Sequence, residues 1–169
     1  VWKEYYIFKR RKKKSRKITL ETNRIVCDTN MVIVNTEFLF GLRQEDKNYR
    51  QCRGIVEKKS QSLEIPGIAL LEVILVMMSQ QKTFTQILGF LEALLELNTL
   101  YSIKEKKMGL EELIEGVKTL ESDPSISFFD GLIIGAARKD GKDILGNNPV
   151  YQELQDIKGW RFTDYLKKF

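Results

Sequence analysis

Three apolar stretches, far apart in the chain, each carry one carboxylate and no Lys or Arg. "IVCDTNMVIV" holds Asp28, "IPGIALLEVILVMM" holds Glu72 and "SISFFDGLIIGAA" holds Asp130. A lone carboxylate among aliphatic side chains is strongly disfavoured unless something pairs with it. A fold that buries these stretches must turn each acid outward or gather the acids around a shared positive partner.

The segments around the acids set the fold class. "TNRIVCD" reads as a first strand ending near Asp28, "SLEI" as a short strand, "TLYSI" as a third, and "KDILG" and "KGWRFTD" as closing strands. Between them, "TEFLFGLRQ", "NYRQCRGIVEKKSQ", "TFTQILGFLEALLELN" and "GLEELIEGVKTLES" carry apolar residues at helical spacing. "PGIALLEVILVMMSQQ" opens on Pro66, which suits a first helical turn, and is apolar on nearly every side, so a buried helix is expected. "SISFFDGLIIGAARKDG" reads as a helix that stops at Gly141, a position suited to a left-handed cap. Strands alternating with helices argue for an α/β layer structure with a mainly parallel sheet.

Length and charge narrow the class further. The 169 residues fit one domain with a sizeable core, and no apolar run reaches the length of a membrane span. No secretory signal is recognisable, so a cytoplasmic location is expected. Residues 1–19 hold nine Lys or Arg and one acid, whereas the rest of the chain has 19 basic and 22 acidic residues. The basic character therefore belongs to the leader "KRRKKKSRK". Residues 1–22 are read as a flexible or non-native extension that opens on Val1, and residues 23–169 as the domain. The two cysteines, Cys27 and Cys52, make neither a disulfide framework nor a zinc knuckle and are expected to be reduced.

The chain has no histidine. That excludes Ser-His and Cys-His nucleophilic triads, His-based acid–base catalysis and His-rich zinc sites. Hydrolysis by such a chain would rest on carboxylates and a metal. In a parallel α/β sheet, ligands bind at the carboxyl ends of the strands, where Asp28 is expected and where Glu72 and Asp130 would converge. Three converging carboxylates repel one another unless a cation joins them, and ligation by oxygen alone suits Mg2+ or Mn2+. Each acid also has a local reading. Asp28 can cap the turn that contains Thr29 and Asn30, Glu72 can face solvent, and Asp130 lies three residues after Ser127, as in an acidic capping box.

The stretches "RIVCDTNMVI", "IPGIALLEVILVM", "ISFFDGLIIGAARKDGKDILGNNPVY" and "IKGWRFTDY", in this order over residues 23–166, resemble the PIN-domain ribonuclease family. The likeness is greatest to the VapC-type toxins of prokaryotic toxin–antitoxin pairs, and "FFDGLIIGAA…G…ILG" is its most specific part. The resemblance implies a three-layer α/β/α sandwich, a divalent-metal site and endoribonuclease activity. By position, Asp28, Glu72 and Asp130 match the family's acidic metal ligands, and Asn30 matches a polar residue beside the first acid. The family usually has Thr and then Asp after the fourth strand. This chain has Gly146 and Asn148 there, which leaves a carbonyl for metal-bound water but no charge for a second ion.

The expected chemistry is hydrolysis of RNA by metal-activated water, leaving 5′-phosphate and 3′-hydroxyl ends. Thr29 and Asn30 would orient water or phosphate, and the leader with Arg43, Lys47 and Arg53 would grip the backbone. The resemblance also implies a small antitoxin partner and a homodimer, for which "FLFGL" or "FTQILGFL" offers apolar surface. Two other readings stay open. One is a PIN-like domain that has lost activity and binds RNA or protein. The other is a phosphatase with an aspartyl nucleophile, which the presence of Asn30 two residues after Asp28 disfavours.

Overall fold

The computed structural model describes residues 31–168. Five strands form one sheet: β1 (Val32–Val34), β2 (Leu63–Pro66), β3 (Lys104–Lys106), β4 (Asp143–Leu145) and β5 (Gly159–Trp160). Their order is β3-β2-β1-β4-β5, and every neighbouring pair is parallel. Parallel neighbours need crossover connections, and helices supply them. These are α1 (Thr36–Phe40), α2 (Tyr49–Lys59), α3 (Gly67–Ser79), α4 (Phe84–Tyr101), α5 (Leu110–Ser122), α6 (Phe128–Asp140), α7 (Pro149–Gln152) and α8 (Phe162–Lys167). The expected α/β architecture with a parallel sheet flanked by helices is what the chain adopts.

The central strands "VIV", "LEIP" and "DIL" are short and nearly continuous in apolar character, as strands covered on both faces must be. Ile33, Val34, Leu63, Ile144 and Leu145 are fully buried and pack with Leu39, Ile55, Ile133 and Ile134 from the helices. Glu64 is the buried charged exception, and Lys142 reaches it at 2.7 Å. Lys142 also binds Asp140, which in turn binds Lys106, and Lys106 binds Glu112. This chain of charges ties β2, β3, α5 and the end of α6 together.

The helix caps agree with the sequence. Ser127 caps α6, accepting from the Asp130 backbone N–H at 3.2 Å, and Gly141 ends the helix with φ 61°. Thr83 and Gln86 form a capping box on α4. Helices α5 and α6 approach so closely that a Cβ on Gly135 would lie 2.2 Å from the Gly116 nitrogen, and one on Gly131 would lie 2.5 Å from Leu120. Only glycine permits that separation.

Three local expectations are corrected, the first being "KGWRFTD", of which only Gly159 and Trp160 are strand while Phe162 to Asp164 open α8. "TLYSI" is not a strand through its length: Thr99 to Tyr101 complete α4, and β3 begins only at Lys104. Helix propensity in "LELNTLY" carries the helix on until Ser102 takes a left-handed conformation. Helix α3 is not buried all round either, because Leu71, Leu75 and Met78 are exposed on one side. The strand expected over "TNRIVCD" and the basic extension over 1–22 lie outside the described residues.

Candidate functional site

The sheet changes direction between β1 and β4. From β1 the chain crosses to β2 on one side, and from β4 it proceeds to β5 on the other. The carboxyl ends of β1 and β4 therefore flank the switch point where α/β sheets open a crevice. Asn35 and Thr36 leave β1, and Gly146, Asn147 and Asn148 leave β4. The Asn35 backbone N–H donates to the Leu145 carbonyl at 3.2 Å, which locks the two exits side by side.

Two acids reach this crevice from helices. Glu72 lies in the second turn of α3, which follows β2, and Asp130 lies in the first turn of α6, which leads to β4. Glu72 accepts a hydrogen bond from the Thr36 hydroxyl. Burial pushes its carboxyl above the ordinary glutamate range, the Thr36 hydrogen bond opposes that, and the charge of Asp130 adds to it. The two carboxylates thus lie within electrostatic reach of each other, although 58 residues separate them in sequence.

Asp130 is surrounded by donors. Its Oδ2 accepts from the Ser127 hydroxyl at 2.6 Å and from Asn148 Nδ2 at 2.9 Å, and its Oδ1 accepts from the Tyr151 hydroxyl. Tyr151 is fully buried. Burial, then the charge and hydrogen bond of Asp130, hold its phenol well above the ordinary tyrosine range, so it remains a donor. Asn35 opposes that shift, hydrogen-bonding the phenolic oxygen as a donor. The other end of the Asn35 amide is occupied, because Oδ1 accepts from the Phe38 N–H at 3.0 Å and caps α1. Gly146 makes room for this arrangement: a Cβ there would lie 2.6 Å from Asn35 Nδ2 and 2.8 Å from the Tyr151 ring.

The residues singled out in the sequence fall as follows. Glu72 and Asp130 lie within electrostatic reach of one another. Asn148 donates its Nδ2 to Asp130, while its Oδ1 caps α7 by accepting from the Val150 N–H at 3.2 Å. Asp28, Thr29 and Asn30 lie outside the described residues. The residue at the carboxyl end of the described β1 is Asn35. Arg43 is held by the Phe40 carbonyl, the Phe40 ring and Asp46, and Arg53 by Glu57 and Tyr49. Only Lys47 of those three basic residues projects from an exposed turn. Asn35, Thr36 and Tyr151 were not anticipated. Asn and Thr at the end of an apolar run produce no charge anomaly, and a buried Tyr looks like ordinary core.

As a donor set, the described residues offer oxygen ligands only. Two carboxylates lie within electrostatic reach of each other, and no described Lys or Arg forms an ion pair with either. Glu37 adds a third acid near these strand ends, but its carboxylate accepts from Asn48 and from the backbone and side chain of Asn147. Among the described residues no group of three or more potential ligands is placed to hold a metal ion. Carboxylate oxygens are the ligand type that suits a hard divalent ion.

No family model matches the sequence, and no curated protein does. Solved structures do match. VapBC2 from Rickettsia felis, bound to a DNA fragment from its promoter, aligns over 77% of this chain and 97% of that one, with 15% identity and a TM-score of 0.57. DNA-bound VapBC from Salmonella typhimurium aligns over 79% and 98%, with 15% identity and a TM-score of 0.56. VapC20 from Mycobacterium tuberculosis, a toxin that cleaves the sarcin–ricin loop, aligns over 75% and 98%, with 13% identity and a TM-score of 0.56. At these identities the likeness establishes the fold, and the fold is the PIN-type fold of VapC toxins. Among the described residues no helix is long and apolar enough to cross a membrane.

Proposed function

We propose that this chain is a toxin-type endoribonuclease that hydrolyses RNA with the help of one Mg2+ or Mn2+ held by Glu72 and Asp130. The observation that carries this reading is two carboxylates within electrostatic reach of each other, with no ion-paired Lys or Arg among the described residues, beside the switch point of a sheet shared with a toxin that cleaves the sarcin–ricin loop. A divalent ion bound there would lower the pKa of a coordinated water and offset charge on the phosphate. The chain's own residues supply orientation. Thr36 fixes the Glu72 carboxylate, Ser127 and Asn148 fix Asp130, and the closeness of the two acids concentrates negative potential at one spot. Asp28 belongs to this proposal as a third acid and Asn30 as its polar neighbour.

The test is cleavage of single-stranded RNA by the full chain with Mn2+ and with chelator. Wild type should cut only with the ion and yield 5′-phosphate ends, and Asp130→Asn should not cut. An Asp130→Asn protein that still cuts, and merely melts earlier by the ~1 kcal/mol of a weakened cap, would overturn the assignment.

A second reading has its own support. The strand-end residue Asn35 and the loop residue Asn148 are neutral, and both amides are engaged in caps. A non-catalytic PIN-like domain that binds RNA or protein would show no cleavage under any ion while still shifting RNA in a gel.

Partners follow the same reading. The neighbours named VapBC favour a small antitoxin protein for this chain as well. For a homodimer, "FLFGL" offers little, because Phe38 and Leu39 are core. Phe84 and Leu88 of "FTQILGFL" are exposed, as are Leu71, Leu75 and Met78 of α3, and together they offer a better face.

A further inference from the structure

We propose that the RNA backbone crosses the crevice between Lys47 and Arg161, which grip its phosphates at the two ends of one hydrogen-bonded frame. This rests on the nuclease reading above for the identity of the ligand and adds the path that the strand takes.

Charge sets the requirement. Glu37 stands in the first turn of α1, Glu72 in the second turn of α3 and Asp130 in the first turn of α6, all around the same strand ends. Clustered acids repel a polyanion, so a nucleic acid is held there only if cations on the rim offset that repulsion. Arg43 is already engaged by the Phe40 carbonyl and ring and by Asp46. Lys47 and Arg161 are exposed, and among the described residues neither forms an ion pair.

Hydrogen bonds fix where these two residues sit. Asn48 follows Lys47, and its backbone N–H donates to Asp46 Oδ1 at 2.8 Å, which pins the turn. Asn48 Nδ2 donates to Glu37 Oε1 at 3.2 Å. Glu37 also accepts from the Asn147 backbone N–H at 3.2 Å and from Asn147 Nδ2 at 3.4 Å. Asn147 Oδ1 accepts in turn from the backbone N–H of Phe162, the residue after Arg161, at 3.1 Å. The neighbour of Asn147 is Asn148, which donates to Asp130. One frame therefore joins the α1–α2 turn, the β4–α7 loop and the start of α8. Lys47 is at one end of it, Arg161 at the other, and the loop that touches Asp130 lies between them. Lys47 offers phosphate a point charge, and Arg161 offers a planar fork of donors. Both act on the backbone rather than on the reacting phosphate, so they hold substrate and transition state alike.

Anisotropy titrations of a fluorescein-labelled single-stranded RNA octamer test this, with the full chain, chelator and salt from about 50 to about 200 mM. Lys47→Ala and Arg161→Ala should each weaken binding severalfold. Each should also flatten the slope of log affinity against log salt by about 0.7, the share of one phosphate contact on a single strand. Arg161→Lys should keep the slope. Lys82→Ala is the control, because Lys82 is exposed beyond the last turn of α3, and it should change neither affinity nor slope. With Mn2+ present, KM for cleavage should rise in both alanine variants while kcat holds. Melting temperatures should match that of wild type, since each replaced side chain is exposed. An unchanged slope in either alanine variant overturns the inference, as does an equal loss in Lys82→Ala. Cleavage by wild type beside such a result leaves the nuclease reading standing. Slopes lost in both variants of a protein that cuts under no ion support the path and overturn the nuclease reading. Neither RNA binding nor cleavage by wild type overturns both.

Discussion

Thr36 donates its hydroxyl to Glu72 across 36 residues of sequence, so the turn that leaves β1 and the acid on α3 act as one unit. The bond favours the ionised form of a carboxyl that burial pushes above the ordinary glutamate range. Thr36→Val keeps the shape and removes the donor. It should cost about 1 kcal/mol of stability in urea unfolding. RNA cleavage should fall much further, by roughly a factor of ten or more, because Glu72 loses its orientation. Equal kcat and KM in the variant and wild type would show that Glu72 needs no such partner.

Asp140 lies between two lysines, bonded to Lys106 and Lys142 at 2.8 Å each. Burial pushes its carboxyl up, but the hydrogen bonds and charges of Lys106 and Lys142 outweigh that and hold it below the ordinary value of 3.8. A carboxyl whose folded pKa is depressed contributes stability above its unfolded pKa and loses it as the pH falls through the folded one. Asp140→Asn should therefore be less stable than wild type at neutral pH, by about 1 kcal/mol for a partly exposed network. The gap between the two proteins should close as the pH drops below 3.8. Thermal melts across that range measure it, and a gap that stays constant at every pH would assign the loss to packing instead.

Gly135 meets Gly116 where α5 crosses α6. Gly135→Ala should push the helices apart and destabilise the domain by about 1 to 3 kcal/mol, read from denaturant midpoints. Gly89, which has open space around it, is the control. Gly89→Ala should be neutral or slightly stabilising, since it lies inside α4.

The α3–α4 face predicts a change of assembly. Leu75 is 44% exposed and Leu88 is 56% exposed, beside Phe84 at 77%. Where such exposed apolar side chains lie together they mark an association surface. Leu75→Lys with Leu88→Lys should leave the melting temperature nearly unchanged and shift a homodimer to monomer in light scattering. A wild-type monomer at every concentration would remove the homodimer from the proposal.

Much of the fold was legible in the sequence because local signals agreed with one another. Pro66 before an apolar run, Ser127 three residues before Asp130, and Gly141 after "AARKD" each marked a boundary that the structure keeps. The close contact of α5 with α6 was less legible, because glycines inside helices carry no hydropathy signal. The site divides along the same line. Glu72 and Asp130 stood out as isolated charges. Asn35 and Tyr151 are neutral, and their roles exist only once β1, β4 and α7 are side by side. Asp28 lies outside the described residues, and the residue that follows the described β1 is an amide, Asn35.

The seam of glycines at Gly116, Gly131 and Gly135 has a bearing on the crevice. Asp130 rides on α6, so the depth to which α6 sinks against α5 fixes how far its carboxylate projects toward α3. A single methyl group added along that seam would act like a shim under a hinge, changing the gap between two carboxylates from the far side of the helix that carries one of them.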